Sequence, residues 1–334
     1  MAAPQPVAVG AAQDALVTAG PHAGLIADLW WLFFTVCAVV FAAVVAALAI
    51  AVARGARARR RDGESPLVDE PPSRARRIAL AIALSVAVSA LTVLALLVAS
   101  VLTGRALAEV PSEDALSVAI VGHRWWWEIT YQDPNPSTLV MTANELHVPV
   151  GRSVVLQLES RDVIHSLWIP SLNGKRDLIP GHQTFLTLRA DRPGAYRAQC
   201  AEFCGAQHAN MALWVIAEPP EAFASWLAAQ RRPAAAITDA TDERVRRGRD
   251  VFMAGPCPMC HTVGGTDALG STGPSLTHLA SRATLAAGTL PRTPGHLGAW
   301  ILDPQTAKPG SAMPPTALTA EELDALVAYL ESLR

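Results

Sequence analysis

Two uninterrupted apolar runs open the chain, and the pattern after them is much finer. Residues 30–52 hold 23 positions without a charge, and residues 78–102 hold 25. A hydrocarbon core of ~30 Å needs ~20 apolar residues in a helix, so each run predicts a transmembrane helix. Between residues 115 and 218 the apolar segments shorten to 116–121, 154–158, 185–188 and 211–216. Turn signals separate them: Asp133-Pro134-Asn135-Pro136, Asn173-Gly174, Pro180-Gly181 and Arg192-Pro193-Gly194. Short strands at this spacing predict an all-β sandwich or barrel. Residues 221–231 read as a short helix and 232–241 as a linker. Residues 242–253 and 318–333 predict amphipathic helices at the two ends of a helical C-terminal domain.

Charge orients this layout. Residues 54–77 carry Arg54, Arg57, Arg59, Arg60, Arg61, Arg74, Arg76 and Arg77. The positive-inside rule places this stretch, read as a loop, on the cytoplasmic side. Both termini and all residues after 102 then lie on the outer face, the periplasm in a bacterium. Residues 1–24 contain no Lys or Arg, so the basic start of a signal peptide is missing. The segment 1–24 is read as an outer N-terminal piece ahead of a two-helix hairpin over 25–104. A hydrophobic content of 51% suits a partly membrane-embedded chain, and a net charge of −2 gives no nucleic-acid footprint. Only two residues are lysine, Lys175 and Lys308.

Four of the five cysteines fall in two motifs. Cys200, Cys204, His208 and Met211 share one twelve-residue run, CAEFCGAQHANM. Two thiolates, an imidazole and a thioether form a soft ligand set that selects copper over zinc. A second thiolate on the same loop lets both sulfurs bridge a pair of copper ions. His165, in DVIHSLWIP, is the candidate for the further terminal ligand. A disulfide between the two cysteines is the plainer alternative. The second motif, Cys257-Pro258-Met259-Cys260-His261, is the CxxCH attachment signature of c-type haem, and a redox CxxC before a His is the alternative. Gly273-Pro274 follows it, and Met313, before Pro314, is the candidate distal ligand. Met259 lies inside the attachment loop and Met253 on the preceding helix. Cys37 lies in the first apolar run and is read as inert packing.

The copper run with His165 resembles the dinuclear copper (CuA) domain of subunit II of haem-copper cytochrome c oxidases. The last ninety or so residues resemble class I cytochrome c. Together they are similar to the second subunit of caa-type oxidases, which carries a fused cytochrome c. The fold implied is a transmembrane α-hairpin, an all-β cupredoxin-like sandwich over 110–220, a short helix and linker over 221–241, and an all-α class I cytochrome c domain over 242–334. The resemblance implies that Cys200 and Cys204 bridge two coppers, with His165 and His208 as terminal ligands. It implies Met211 as a weak ligand and the Glu202 carbonyl as another. The Glu202 side chain would also reach a magnesium ion shared with subunit I. Gly122-His123-Arg124-Trp125-Trp126-Trp127 matches the family's aromatic run, which gives Trp125 the role of receiving electrons and leaves Trp126 and Trp127 as packing. Covalent haem c on Cys257 and Cys260, with His261 and Met313 on the iron, follows from the second likeness.

The chain departs from the family's pattern at two places. His182 follows Pro180-Gly181, where relatives carry Arg, in the loop of Asp177 that lines the copper site and meets subunit I. No Glu stands at the start of the second apolar run, where many relatives place a proton-path residue; Glu70 is the closest acid. The function implied is electron input to a membrane oxygen reductase in a bacterial inner membrane. Oxidase subunits I and III, an upstream cytochrome c or cytochrome bc complex, and membrane lipid are the implied partners. The same module in a nitric oxide reductase, or a stand-alone membrane-tethered carrier, are the alternatives.

Overall fold

The computed structural model describes residues 13–62, 72–108, 114–135, 138–234 and 242–334. The first twelve residues, the middle of the basic stretch with Glu70, the boundary at 110, Pro136 and most of the linker (235–241) lie outside the described residues. The chain divides into two compact units, Gly24–Val110 and the remainder.

The first unit is two long helices, α1 (Pro21–Asp62) and α2 (Pro72–Leu107). Both carry windows of high mean hydropathy, 3.0 and 2.6, and none of either window is buried in protein. The basic stretch expected as a loop is mostly helical. Helix α1 runs on through Arg54, Arg57 and Arg60, and Arg74, Arg76 and Arg77 lie on the first turns of α2. Arginine is a good helix former, and cations at the end of α1 complement its dipole, so nothing stops that helix where the apolar run ends.

The second unit contains the expected sandwich. Its first sheet has the order β3 (Val140–Ala143), β2 (Trp126–Tyr131), β1 (Leu116–His123), β5 (Val154–Ser160), β8 (Thr184–Leu188). The second has the order β4 (Glu145–Pro149), β10 (Ala212–Glu218), β9 (Gly194–Cys200), β6 (His165–Trp168), β7 (Lys175–Leu178). All pairings are antiparallel except β1 with β5 and β10 with β4. Strand β1 alternates buried and half-buried positions along its length, as a two-period pattern requires. Val118, Ile120, Trp127, Leu156 and Val215 fill the space between the sheets. The chain at and just before the start of α1 lies on this sandwich: Ala19 N donates to Ser171 O at 2.7 Å and Ala23 N to Leu172 O at 3.2 Å.

Helix α3 (Pro220–Gln230) leaves β10 and packs Phe223 and Trp226 against Tyr131. The C-terminal domain is built on α4 (Glu243–Ala254) crossing α7 (Ala320–Ser332), with Phe252 against Tyr329. Asp242 caps α4, and Thr319 with Glu322 forms a reciprocal capping box on α7. Helices α5 (Pro294–Leu302) and α6 (Pro304–Ala307) lie between them. One element departs from an all-helical reading: a hairpin of two-residue strands, β11 (Thr284–Leu285) and β12 (Leu290–Pro291).

Candidate metal and haem sites

The loop from Cys200, the last residue of β9, to Met211, just before β10, is closed at its base. Cys200 N donates to Met211 O at 3.0 Å, and Ala201 N donates to Ser166 O at 2.8 Å. These bonds fix both ends of the ligand run against β6. His165 is the first residue of β6 and fully buried. Pairing with Leu178 of β7 extends the ladder to that position. A strand is a more rigid mount than a loop.

The donor atoms converge. Cys200 Sγ lies 3.7 Å from Cys204 Sγ and 3.8 Å from His165 Nδ1. Cys204 Sγ lies 3.6 Å from His208 Nδ1 and 3.9 Å from Met211 Sδ. The carbonyl oxygen of Glu202 is 3.1 Å from Cys200 Sγ. Cys200, Cys204, His165 and Met211 are buried, whereas His208 is half-buried and Glu202 and Phe203 are exposed. The sulfurs are too far apart for a disulfide, which needs ~2.05 Å. Sulfurs and imidazole nitrogens at these separations fit metal between them.

Asp162 was not singled out by sequence reasoning. Its Oδ1 sits 2.8 Å from His165 Nε2. A carboxylate accepts, so Nε2 carries the proton and the Nδ1 lone pair faces the sulfurs. Burial opposes an imidazolium at His165, but the Cys200 sulfur and Asp162 outweigh it and raise its pKa. The Cys204 thiol, bonded to Cys200, draws the Cys200 pKa strongly down, and the same pairing drives that of Cys204 up.

Trp125 lies against the same loop. Its Nε1 donates to Cys204 O at 3.0 Å. A Cβ on Gly205 would meet the indole at 3.1 Å, and Gly205 has φ +117°, so glycine is required there on both counts. Trp127 is fully buried in the core, and Trp126 stacks on His123. Asp177 and His182 are exposed on and beside β7, whose Asp177 pairs with Ser166 next to His165.

In the C-terminal domain, Cys257, His261 and Met313 line one cavity. Its walls include Phe252, Leu276, Leu297, Ile301 and Leu326. His261 Nδ1 is 2.8 Å from Pro274 O. A carbonyl only accepts, so the proton is on Nδ1 and Nε2 is left as a ligand. Burial also holds the His261 pKa low, keeping the imidazole neutral. A Cβ on Gly273 would meet the His261 ring at 2.7 Å, so the turn must be glycine for the ring to sit there. Gln305 Nε2 donates to Met313 O at 3.0 Å and holds that loop. Arg282 is buried on the cavity wall, and its Nε has no hydrogen-bond partner among the described residues. An apolar slot with one unsatisfied guanidinium nitrogen fits a flat apolar ring bearing carboxylates, as haem does. Met259 is exposed, outside the cavity.

The comparisons agree with this anatomy. Residues 133–218 match the family model "Cytochrome C oxidase subunit II, periplasmic domain", and residues 245–334 match "Cytochrome c". Cytochrome c oxidase subunit 2 of Alkalihalophilus pseudofirmus is 34% identical over 223 residues, covering 66% of this chain and 62% of that protein. The chain thus spans somewhat under two thirds of that relative. Cytochrome c oxidase subunit 2 of Bacillus sp. strain PS3 is 30% identical over 294 residues, covering 83% of this chain and 80% of that protein.

The chain belongs to the cytochrome c oxidase subunit II family.

Among solved structures, the periplasmic domain of cytochrome oxidase subunit II of Bradyrhizobium japonicum is similar, at 28% identity and a TM-score of 0.35 over 37% of this chain and 97% of that one. This subunit II is a membrane protein with periplasmic redox domains. It has a CuA-type site of His165, Cys200, Cys204 and Met211, and a cytochrome c domain that implies haem c. Sequence reasoning found these ligands because they cluster. It missed Asp162, whose only signal is its place three residues before His165, and Glu145, Gln207 and Lys308, which join the two redox domains.

Proposed function

We propose that this chain is the electron-input subunit of a membrane oxygen reductase. It takes electrons at the C-terminal domain, hands them through Trp125 to the copper site, and delivers them to a catalytic partner subunit. The observation that carries this reading is the place of Trp125. Its indole is hydrogen-bonded to Cys204 O of the copper loop on one side. On the other, a Cβ on Gly310 of the helical domain would be 3.5 Å from the ring.

His165 and His208 would be the terminal ligands, Cys200 and Cys204 the bridges, and Met211 Sδ and Glu202 O the weak ones. Cys257 and Cys260 would anchor haem c, with His261 and Met313 on its iron. Bound there, copper and haem supply reversible one-electron chemistry. The protein's part is to hold the ligands still: Asp162 orients His165, and β6, β9 and β10 fix the rest. Burial excludes water, and a rigid dry site reorganises little when charge changes. The edge bearing Glu202 and Phe203, beside the half-buried His208, stays exposed, opposite in role to the covered Trp125 side. We assign that edge to oxidase subunit I, and the Glu202 carboxylate would there join a magnesium ion held with subunit I ligands.

The membrane is the bacterial inner membrane, with termini and redox domains outside. Oxidase subunits I and III and an upstream cytochrome c or cytochrome bc complex complete the proposed assembly. Purifying the complex in detergent and recording haem spectra, copper EPR and oxygen uptake tests the reading. Oxygen reduction with haem c and a copper signal shared over two nuclei is expected. Reduction of nitric oxide but not oxygen, or isolation of the chain with no catalytic partner, would overturn it.

A further inference from the structure

The two redox domains are joined by contacts that centre on one buried lysine. Lys308 follows α6 and is 3% exposed. Its Nζ donates to Trp125 O at 2.7 Å, on the copper side, and to Ala286 O at 3.0 Å, on the haem side. Among the described residues no carboxylate lies within ion-pair distance of it. A buried lysine amine held only by carbonyls is costly, and is found where its placement matters more than its stability.

The neighbouring bonds point to the same junction. Gln207 Nε2, in the copper loop, donates to Pro309 O at 2.8 Å, one residue beyond the lysine. Ala286 and Ala287, at the tip of the β11–β12 hairpin, both have left-handed backbones, φ 51° and 56°. Side chains with a Cβ rarely adopt this conformation, and two in succession persist only where the surroundings hold them. Here the conformation aims both carbonyls outward: Ala286 O accepts from Lys308, and Ala287 O accepts from Ala212 N at 3.0 Å. The base of the hairpin is held separately. Buried Glu145 Oε1 accepts from Ala283 N at 2.8 Å, Thr284 N at 2.9 Å and Thr284 Oγ1 at 3.2 Å.

We propose that Lys308 is a positioning residue that clamps the haem domain onto the backbone of Trp125, so that electrons are delivered by a fixed docked donor and not by a domain swinging on its linker. The clamp rests on the reading of Trp125 as the junction. Glu145 and Gln207 are its supporting grips.

Two measurements on the full chain in its assembled oxidase test this. Hydrogen–deuterium exchange reports docking directly and needs no electron transfer. The amides of Ala212, Ala283 and Thr284 should be protected in the native complex and exchange faster in Lys308→Met. Flash-induced haem-to-copper transfer should be independent of viscosity in the native complex. In Lys308→Met it should slow by about tenfold, an added barrier of ~1.4 kcal/mol, and become viscosity-dependent, with haem and copper spectra unchanged. Glu145→Gln should show the same trend more weakly. A native rate that already falls with viscosity overturns the clamp, as does unchanged exchange in both variants. If the native complex passes no electrons from haem to copper while exchange responds as expected, the electron route fails and the clamp stands.

Discussion

Trp125 and Cys204 are joined by a hydrogen bond of 3.0 Å from the indole nitrogen to the carbonyl oxygen. The donor ring and the copper-ligating residue are thus one bonded unit. Both are buried, so the bond has no competing water. Replacing Trp125 by Phe removes the donor and leaves a buried carbonyl unsatisfied, a loss of about 1–3 kcal/mol. Copper content should persist, because no ligand is touched, while haem-to-copper transfer slows. Thermal unfolding and flash kinetics on the same preparation check both halves; transfer at the native rate would remove Trp125 from the route.

Asp162 fixes the tautomer and orientation of His165. Removing such a partner usually lowers metal affinity by about 10–100-fold. Asp162→Asn should therefore lose copper to a chelator at correspondingly lower concentration, with the protein still folded. Equal retention in a chelator titration would show that β6 alone orients the imidazole.

Met313 shares its cavity with His261, and Gln305 holds its backbone. Met313→Ala should keep haem attached through Cys257 and Cys260 in a denaturing gel, yet lose the weak sulfur-to-iron absorption band. Survival of that band would mean that another residue is the distal ligand.

Burial lowers the Lys308 pKa from 10.5 to about 7, the nearby Cys204 sulfur pulling only weakly the other way. The sign follows from proton counts. Between about pH 7 and 10.5 the unfolded chain binds a proton at this site that the folded chain releases, so folding gains as pH rises through that window and the gain is lost on descent to pH 7. Denaturant unfolding of the metal-free chain should show this slope, and Lys308→Met should flatten it. A slope identical in both proteins would mean that the lysine titrates normally.

The sequence exposes what is local and hides what is not. The copper ligands are legible because four of them fall within twelve residues and their chemistry admits few uses. The haem cysteines are legible for the same reason. The apolar runs mark the spans but not the helix ends, because Arg54 to Arg60 continue α1 with no breaker. The β11–β12 hairpin has strands too short for any periodicity. Glu145 is 139 residues from Thr284, and Lys308 is 183 from Trp125. No pattern along the chain announces such pairs. That His165 begins a strand is also hidden, because the ladder that makes it strand comes from β7, a short exposed segment without alternation.

The covering of Trp125 has a consequence for how the whole subunit is fed. With the indole 8% exposed, a carrier arriving from solution cannot touch it. On the proposed route the copper site would then have a resident supplier, and the search for an outside carrier would move to the far surface of the haem domain. The sandwich face around Trp125 is released from attracting mobile partners and can be as apolar and closely packed as any interior. The traffic on that route would be a queue with one server: reduction of the copper site would be set by how often the haem domain is recharged, and crowding by other carriers around the sandwich would change nothing.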